Sequence, residues 1–259
     1  MISLEQHQIE IRKNLQAWRQ KPLLQDIYQR FYQRILTLIN PSIPGRIVEI
    51  GSGIGNLKHH LPTAVSTDLF PNPWLDLVCD GYELPFANQS LSHLVLLDVF
   101  HHLRAPRALL LEAARVLHPQ GRVILFEPYI SLASFPVYGL LHHEPVAWRQ
   151  PIAMQDHLDR PRNYYAAQGN ATRLFFNQSP SRWLQDWKVF HQEAFSSFAY
   201  LLSGGYSKPA LYPRSWIGFL HHCDHWLSRF PALFGARCLV GLEPSTPAAK
   251  RLGTRLPSP

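Results

Sequence analysis

Hydrophobic positions follow first a helical rhythm and then a strand rhythm. Over residues 3–39, Leu24, Ile27, Tyr28, Phe31, Ile35 and Leu38 recur at three- and four-residue steps, which predicts a helical segment with one buried face. Asn40-Pro41 stops it. After Pro44-Gly45 short apolar runs take over: Arg46–Ile50, Ala64–Thr67, Leu75–Cys79 and His93–Leu97 predict four strands, each followed by a glycine or an aspartate. Asn56–Leu61 is a short helical stretch after the first. Pro106 opens a helix at the position where its missing N–H costs nothing, and Leu109, Ala113, Val116 and Leu117 form its inner face. His118-Pro119-Gln120-Gly121 ends that helix, and Arg122–Phe126 makes a fifth strand closing on Glu127-Pro128. Strands alternating with helical segments predict an α/β fold with a doubly wound, mostly parallel sheet.

Proline disrupts the pattern beyond residue 128. Ser179-Pro180 opens a short helix running to Trp187, a strand lies within Lys188–Phe195, and Arg237–Leu242 is the last strand. Trp216, Phe219, Leu220, Cys223, Trp226 and Leu227 keep helical spacing, and residues 244–259 read as a frayed tail. No internal repeat is visible.

Composition narrows the class. With 259 residues, 46% hydrophobic and 17% charged, the chain has enough apolar material for a core and too little charge for a disordered segment. The longest apolar stretch with helical potential, Ile130–Leu141, is shorter than the roughly 20 residues a bilayer requires. The N-terminal residues lack the apolar core of a signal peptide, so a cytoplasmic location is expected. Cys79, Cys223 and Cys238 share no short spacing, which encodes neither a disulfide framework nor a zinc ribbon. The formal charge of +7 suits nucleic acid, anionic lipid or an acidic small molecule. Its basic residues are scattered, however, so the sequence gives no strong nucleic-acid signal and leaves a peripheral membrane contact open. The 22 prolines exceed the roughly 13 expected at average usage, and they join the aromatic residues in making the second half a loop-rich cap.

The first half carries the chemistry. Gly51-Ser52-Gly53-Ile54-Gly55 lies between a strand and a helix, where glycine permits positive φ and close approach of a ligand to the backbone. Its third glycine comes one residue early for a dinucleotide fingerprint, which disfavours NAD. Asp68, Asp80 and Asp98 each follow a strand, and ligands of doubly wound sheets bind beyond the carboxyl ends of the strands. Three carboxylates and a glycine turn thus point to a nucleoside-like ligand carrying a positive group.

Val48-Glu49-Ile50-Gly51-Ser52-Gly53-Ile54-Gly55-Asn56 resembles the first motif of the class I S-adenosylmethionine-dependent methyltransferases. Asp80-Gly81-Tyr82-Glu83-Leu84-Pro85-Phe86 is similar to the D-x-x-x-LPF segment of their type 11 subfamily. Phe100-His101-His102-Leu103 and Ala114–Gly121 match the next two signatures, with Gln120 where glycine is usual. The resemblance spans about Arg46–Pro128 and implies a seven-stranded Rossmann-like sheet with S-adenosyl-L-methionine as cofactor. It carries Gly51, Gly53 and Gly55 to the methionine moiety, and Asp68 to the ribose. Asp80 and Gly81 go to the adenine, Asp98 lies near the methionine amino group, and Glu49 is the acidic residue of the first motif. Ser52 and Leu69 complete the expected cofactor set.

The expected activity is methyl transfer to a small-molecule or lipid-like acceptor, hydrophobic or anionic, with the attacking atom unresolved. Arg149, Arg160, Arg162 and Arg173 are candidates for holding an anionic group at the cap rim. His101 and His102 are candidate bases beside the expected methyl group, against the reading that they only pack a loop. His221, His222 and His225 have a helical spacing that can bind zinc, but no third ligand is evident and no metal is expected. The aromatic segment Tyr164–Phe176, with Tyr200, Tyr206 and Tyr212, either lines a cavity or packs. The alternatives are a nicotinamide-dependent oxidoreductase and a binding module without turnover. Asp98-Val99-Phe100-His101 departs from the D/N-P-P-Y/F segment of DNA amino-methyltransferases. The expected organisation is a helical segment over 1–44, a methyltransferase domain over 45–243 with a cap insertion at about 128–186, and a flexible tail over 244–259.

Overall fold

The computed structural model describes residues 4–142, 144–149, 151–152, 165–177 and 183–245. Its centre is a seven-stranded sheet built from β1 (Arg46–Ile50), β2 (Val65–Asp68), β3 (Leu77–Val78), β4 (Leu91–Leu97), β5 (Leu117–Pro128), β6 (Trp187–Ser196) and β7 (Gly235–Pro244). The order is β3-β2-β1-β4-β5-β7-β6. β1 to β5 pair in parallel, and β7 runs antiparallel to both β5 and β6. The order reverses between β1 and β4, and that switch point places a crevice beyond their carboxyl ends.

Side chains on successive strand residues face opposite ways, which sorts them into two cores. Val95 of β4, Ile124 and Phe126 of β5 and Leu239 of β7 pack on one face. Leu94, Leu96, Val123, Leu125, Val240 and Leu242 pack on the other. The first face is covered by α2 (Pro22–Leu36), which follows α1 (Leu4–Gln20) and buries Leu24, Ile27, Tyr28, Phe31 and Ile35. Leu24, Ile27 and Ile35 are fully buried, each a gain of about 1.5–3 kcal/mol. The second face is covered by α3 (Pro106–Val116) through Leu109, Leu110, Ala113 and Val116. The remaining helices are α4 (Phe198–Leu202), α5 (Ile217–Leu227) and α6 (Pro231–Phe234), all between β6 and β7.

Several sequence expectations are corrected. The helix read over 3–39 is two helices, because Pro22 has no N–H and begins a new one at its first position. Asn56–Leu61 yields only a 3₁₀ turn, Asn56–His59. The third strand shrinks to Leu77–Val78, and no helix separates β2 from β3 or β3 from β4 among the described residues. Residues 118–121 follow the end of α3 but fall within β5, whose pairing with β4 begins at Leu117 and resumes at Arg122 across an irregularity. Trp216, Phe219 and Trp226 of the α5 region keep their spacing, but all three are more than half exposed. Ser179-Pro180 and the start of the expected helix lie outside the described residues, and 184–186 are not helical.

Candidate functional site

The loops leaving β1, β2 and β4 meet at the switch point. Gly51, Gly53 and Gly55 all have positive φ, +69°, +54° and +73°. At Gly51 a Cβ would sit 2.5 Å from Val99 Cγ2, so glycine lets the β1 and β4 loops close on each other. A Cβ at Gly53 would meet nothing within 4 Å, which marks the open side of the turn. Trp74 Nε1 and Asn72 Nδ2 donate to the Gly53 carbonyl at 2.8 and 3.2 Å, holding the turn from outside. Ser52 fastens the loop to β2: its N–H donates to Thr67 O, and its Oγ accepts from Thr67 N–H.

The acidic residues are held by backbone donors. Asp68 Oδ2 accepts from Gly53 N–H at 3.0 Å and Oδ1 from Leu69 N–H at 2.7 Å; the Leu69 side chain itself is exposed. A carboxylate offers about four acceptor positions, so these bonds orient Asp68 without exhausting it. Asp80 Oδ1 accepts from Tyr82 N–H at 2.9 Å. Gly81 has a packing reason: a Cβ there would press on Leu109 Cδ1 at 3.0 Å and Ile50 Cγ2 at 3.4 Å.

Glu49 and Asp98 are the unusual pair. Glu49 lies on the α2 face of β1, is 3% exposed, and its Oε2 has no hydrogen-bond partner. Burial, opposed by Ser52 and reinforced by Asp68, pushes its carboxyl up to about 8. Asp98 is a non-glycine residue at φ +57°, a strained conformation that tends to cluster at functional sites. Its Oδ2 receives Arg237 Nη2 at 2.7 Å, and its Oδ1 is buried without a partner. Arg237 is 1% exposed, and its guanidinium lies 4.9–5.1 Å from the ring centroids of Phe31, Phe126 and Tyr200. Two orphaned acidic oxygens near a glycine turn fit a ligand that brings its own ammonium donors, as the methionine end of S-adenosylmethionine does. The expected cofactor residues therefore suit that group.

A second cluster lies just beyond Asp98. Glu127, at the end of β5, is fully buried; its Oε1 accepts from the N–H groups of Val99 and Phe100 at 2.8 and 2.6 Å. Its Oε2 lies 2.6 Å from His101 Nδ1. Glu144 then faces both histidines, with Oε2 3.4 Å from His101 Nε2 and Oε1 3.5 Å from His102 Nε2. His102 Nδ1 lies 3.1 Å from the Tyr165 carbonyl, and Gln168 Nε2 donates to Glu144 Oε2 at 2.9 Å. The adjacent histidines are driven apart. Burial, which would lower His101, is overcome by Glu127 and Glu144, so it rises to about 10; burial and the charge of His101 take His102 down to about 4. His102 is therefore the neutral one of the two at neutral pH.

The sequence reading missed Glu127, Glu144, Gln168 and Arg237. Glu127 obeys the strand-end rule that singled out Asp68, Asp80 and Asp98, and could have been found by it. Glu144 follows no strand, and Arg237 looked like an ordinary strand flank. His221, His222 and His225 join no metal-competent group, the His101–His102–Glu144 set being the one found among the described residues. The cap aromatics mostly pack: Phe175 lies against Phe100 and Trp183, and Tyr200 and Tyr206 lie against Tyr28. Arg173 Nη1 reaches the Ala147 carbonyl at 3.4 Å, while Arg160, Arg162 and Tyr164 lie outside the described residues. No helix among the described residues is long and apolar enough to cross a membrane.

Residues 48–125 match the family model described as a methyltransferase domain. No curated protein matches the chain. Among solved structures, a methyltransferase complex with the Trm112 activator from Haloferax volcanii is similar at 18% identity and TM-score 0.51, covering 90% of this chain and 96% of that one. A SAM-dependent methyltransferase from Thermotoga maritima is similar at 13% identity and TM-score 0.49, covering 91% and 98%. The cyclase SpnF is similar at 11% identity and TM-score 0.49, covering 84% and 82%. At 18% identity the likeness to the first speaks for the fold alone.

Proposed function

We propose that the chain is an S-adenosylmethionine-dependent methyltransferase, its residues 48–125 matching a methyltransferase domain, and that it methylates a small hydrophobic or lipid-like acceptor entering beside His102. The cofactor supplies an electrophilic methyl group on a sulfonium. In this reading Glu49 and Asp98 take the methionine ammonium on their unpartnered oxygens, Asp68 takes the ribose hydroxyls, and Asp80 reaches the adenine. The Arg237 pair fixes the Asp98 carboxylate, so its second oxygen is oriented before the ligand arrives. Alignment of this kind is where such an enzyme gains most, up to about 7–11 kcal/mol in well-oriented systems. His102, neutral at physiological pH, is the histidine that faces the acceptor's attacking atom.

The observation that carries the cofactor placement is the pair of orphaned buried oxygens, Glu49 Oε2 and Asp98 Oδ1. The apolar acceptor is supported by Leu132, Phe135, Leu140, Leu141 and Trp148, exposed along the segment that leads to and past Glu144. Calorimetry on the full chain tests the first part: S-adenosylhomocysteine binds and NADH does not. Incubation with S-adenosylmethionine and a panel of hydrophobic alcohols, phenols, thiols and amines, read by mass spectrometry, tests the second. Tighter binding of NADH would overturn the cofactor placement, and methylation of only short polar acceptors would overturn the acceptor class.

A further inference from the structure

We propose that His101, His102 and Glu144 form a binding site for one divalent transition-metal ion of the zinc type, whose open position takes the oxygen or sulfur of the methyl acceptor. Both histidines are prepared in the same way. His101 Nδ1 is engaged by the Glu127 carboxylate at 2.6 Å and His102 Nδ1 by the Tyr165 carbonyl at 3.1 Å. Each acceptor takes the ring proton on Nδ1, which turns Nε2 toward the site; at His101 an incoming cation displaces the second proton that Glu127 and Glu144 otherwise hold on the ring. Both Nε2 atoms then face Glu144, at 3.4 and 3.5 Å from its two oxygens.

Those separations are long for hydrogen bonds. They suit ligands that share an ion. Zinc–nitrogen and zinc–oxygen bonds of about 2.0–2.1 Å in tetrahedral geometry put neighbouring ligand atoms about 3.3–3.4 Å apart. The ligand atoms of all three residues lie within 4.8 Å of one another, so a modest turn of the partly buried His102 ring closes the third edge. Around them stands the outer support that metal-binding histidines have: a carboxylate behind His101, a carbonyl behind His102, and the Gln168 amide on Glu144. Two histidines and one glutamate leave a fourth tetrahedral position open.

The histidines follow β4 directly after Asp98, so the open position lies beside the transferase site; the role toward the acceptor rests on the proposed function, whereas the ion site itself does not. A hydroxyl or thiol entering that position forms a bond to the ion as its proton leaves to bulk water. The product is a bound oxyanion or thiolate, the form that attacks an electrophilic methyl group. An acceptor able to ligate zinc is thereby selected over an amine that is protonated at neutral pH.

Cobalt(II) is the probe, because its visible absorption reports tetrahedral ligation directly. Titration of the metal-free full chain is expected to give one cobalt per chain with intense visible bands. Glu144→Gln and His102→Gln should each lower cobalt affinity at least 100-fold, and Glu127→Gln by about 10- to 100-fold, the range for outer-shell partners. His225→Gln should leave it unchanged. S-adenosylhomocysteine binding, measured in parallel, reports that each variant is folded. Cobalt bands lost in Glu144→Gln with S-adenosylhomocysteine binding retained would establish the site. No visible bands in the wild type, or equal affinity in Glu144→Gln, would overturn it and leave an ion-paired cluster. Cobalt binding in a chain that fails to bind S-adenosylhomocysteine would instead refute the proposed function and spare the metal site.

Discussion

The glycine-turn crevice and the His–Glu cluster sit side by side at the ends of the same strands but are built by different rules. In the crevice, each acidic residue comes just after or within its own strand, and backbone N–H groups answer two of them: Gly53 and Leu69 for Asp68, Tyr82 for Asp80. In the cluster, side chains from β5, the turn after β4 and the cap answer one another: Glu127 with His101, Glu144 with Gln168. A site made of backbone donors depends on local turn geometry, so it leaves a contiguous motif. A site made of side chains from distant segments depends on packing, and leaves none. The first arrangement suits a ligand shared by many proteins, and the second suits a partner specific to this chain.

Asp98 belongs to both regions, and changing it should have the largest effect. It ends β4 among the crevice residues, yet its partner Arg237 comes from β7 and is buried. Asp98→Ala would strand a buried guanidinium, for which a loss of about 3–5 kcal/mol is expected. Asp98→Asn keeps an oxygen for Arg237 and should lose less than half of that. Urea denaturation of both variants checks this. Equal, small losses would mean that the aromatic rings around Arg237 suffice and that the two regions are not coupled through this residue.

Glu49 distinguishes the regions by pH. Its carboxyl titrates near 8 in the folded chain against about 4.5 when unfolded, burial being the main cause. The folded state therefore holds an extra proton between those values, and stability falls as pH rises from about 4.5 to 8. By neutral pH the loss is on the order of 3 kcal/mol. His101, raised to about 10, behaves as a cation held by its partners: its contribution is complete below about 6.5 and is lost as pH climbs toward 10. Glu49→Gln should flatten the acid-to-neutral slope and leave the alkaline one. Denaturation midpoints measured from pH 5 to 10 would show this, and an unchanged lower slope would show that Glu49 is ionised and partnered.

How far the sequence could be read follows from the same contrast. The five parallel strands, and the acids Asp68, Asp80 and Asp98 after three of them, were legible because each strand is a local apolar run closed by a turn residue. The split of the N-terminal helix was signalled by Pro22, but the apolar rhythm continues across it and conceals the break. The passage of α3 directly into β5 could not be read, because His118-Pro119-Gln120-Gly121 is a turn by composition, and it is the pairing of Leu117 with Leu91 before it that carries β5 back to the end of α3. The exposure of Trp216, Phe219 and Trp226 was equally hidden: spacing shows that residues share a face but not whether anything covers it. His101 and His102 were visible as candidates, whereas the opposite environments that separate them come from Glu127 and Glu144, which only the fold brings near.

The glycines allow a finer comparison within the crevice. Gly51→Ala adds a Cβ 2.5 Å from Val99 Cγ2 to a backbone at φ +69°, whereas Gly53→Ala meets open space at φ +54°. Left-handed strain of about 1–2 kcal/mol is common to both, and the clash at Gly51 should add about 1–3 kcal/mol. Gly51→Ala should therefore lower stability more, while Gly53→Ala should cost only the strain and weaken S-adenosylhomocysteine. Paired denaturation and calorimetry decide it. Identical effects of the two substitutions on both readouts would mean that the turn is a scaffold without an open side.

The smallest expected effect concerns Asp68, whose two oxygens already accept the Gly53 and Leu69 N–H groups at 3.0 and 2.7 Å. Asp68→Asn retains one acceptor oxygen and removes the charge. Hydrogen bonds to a charged group are worth about 1.5–3 kcal/mol and neutral ones about 0.5–1.5, so roughly 1–1.5 kcal/mol should be lost. That is about a tenfold weakening of S-adenosylhomocysteine. Methylthioadenosine keeps the ribose but lacks the amino acid end, so it should weaken by the same factor. A change at Glu49 or Asp98 should instead weaken only the ligand that carries the ammonium. If Asp68→Asn weakens S-adenosylhomocysteine and spares methylthioadenosine, the carboxylate serves the methionine end. The crevice would then hold its ligand in the reverse direction along the strand ends.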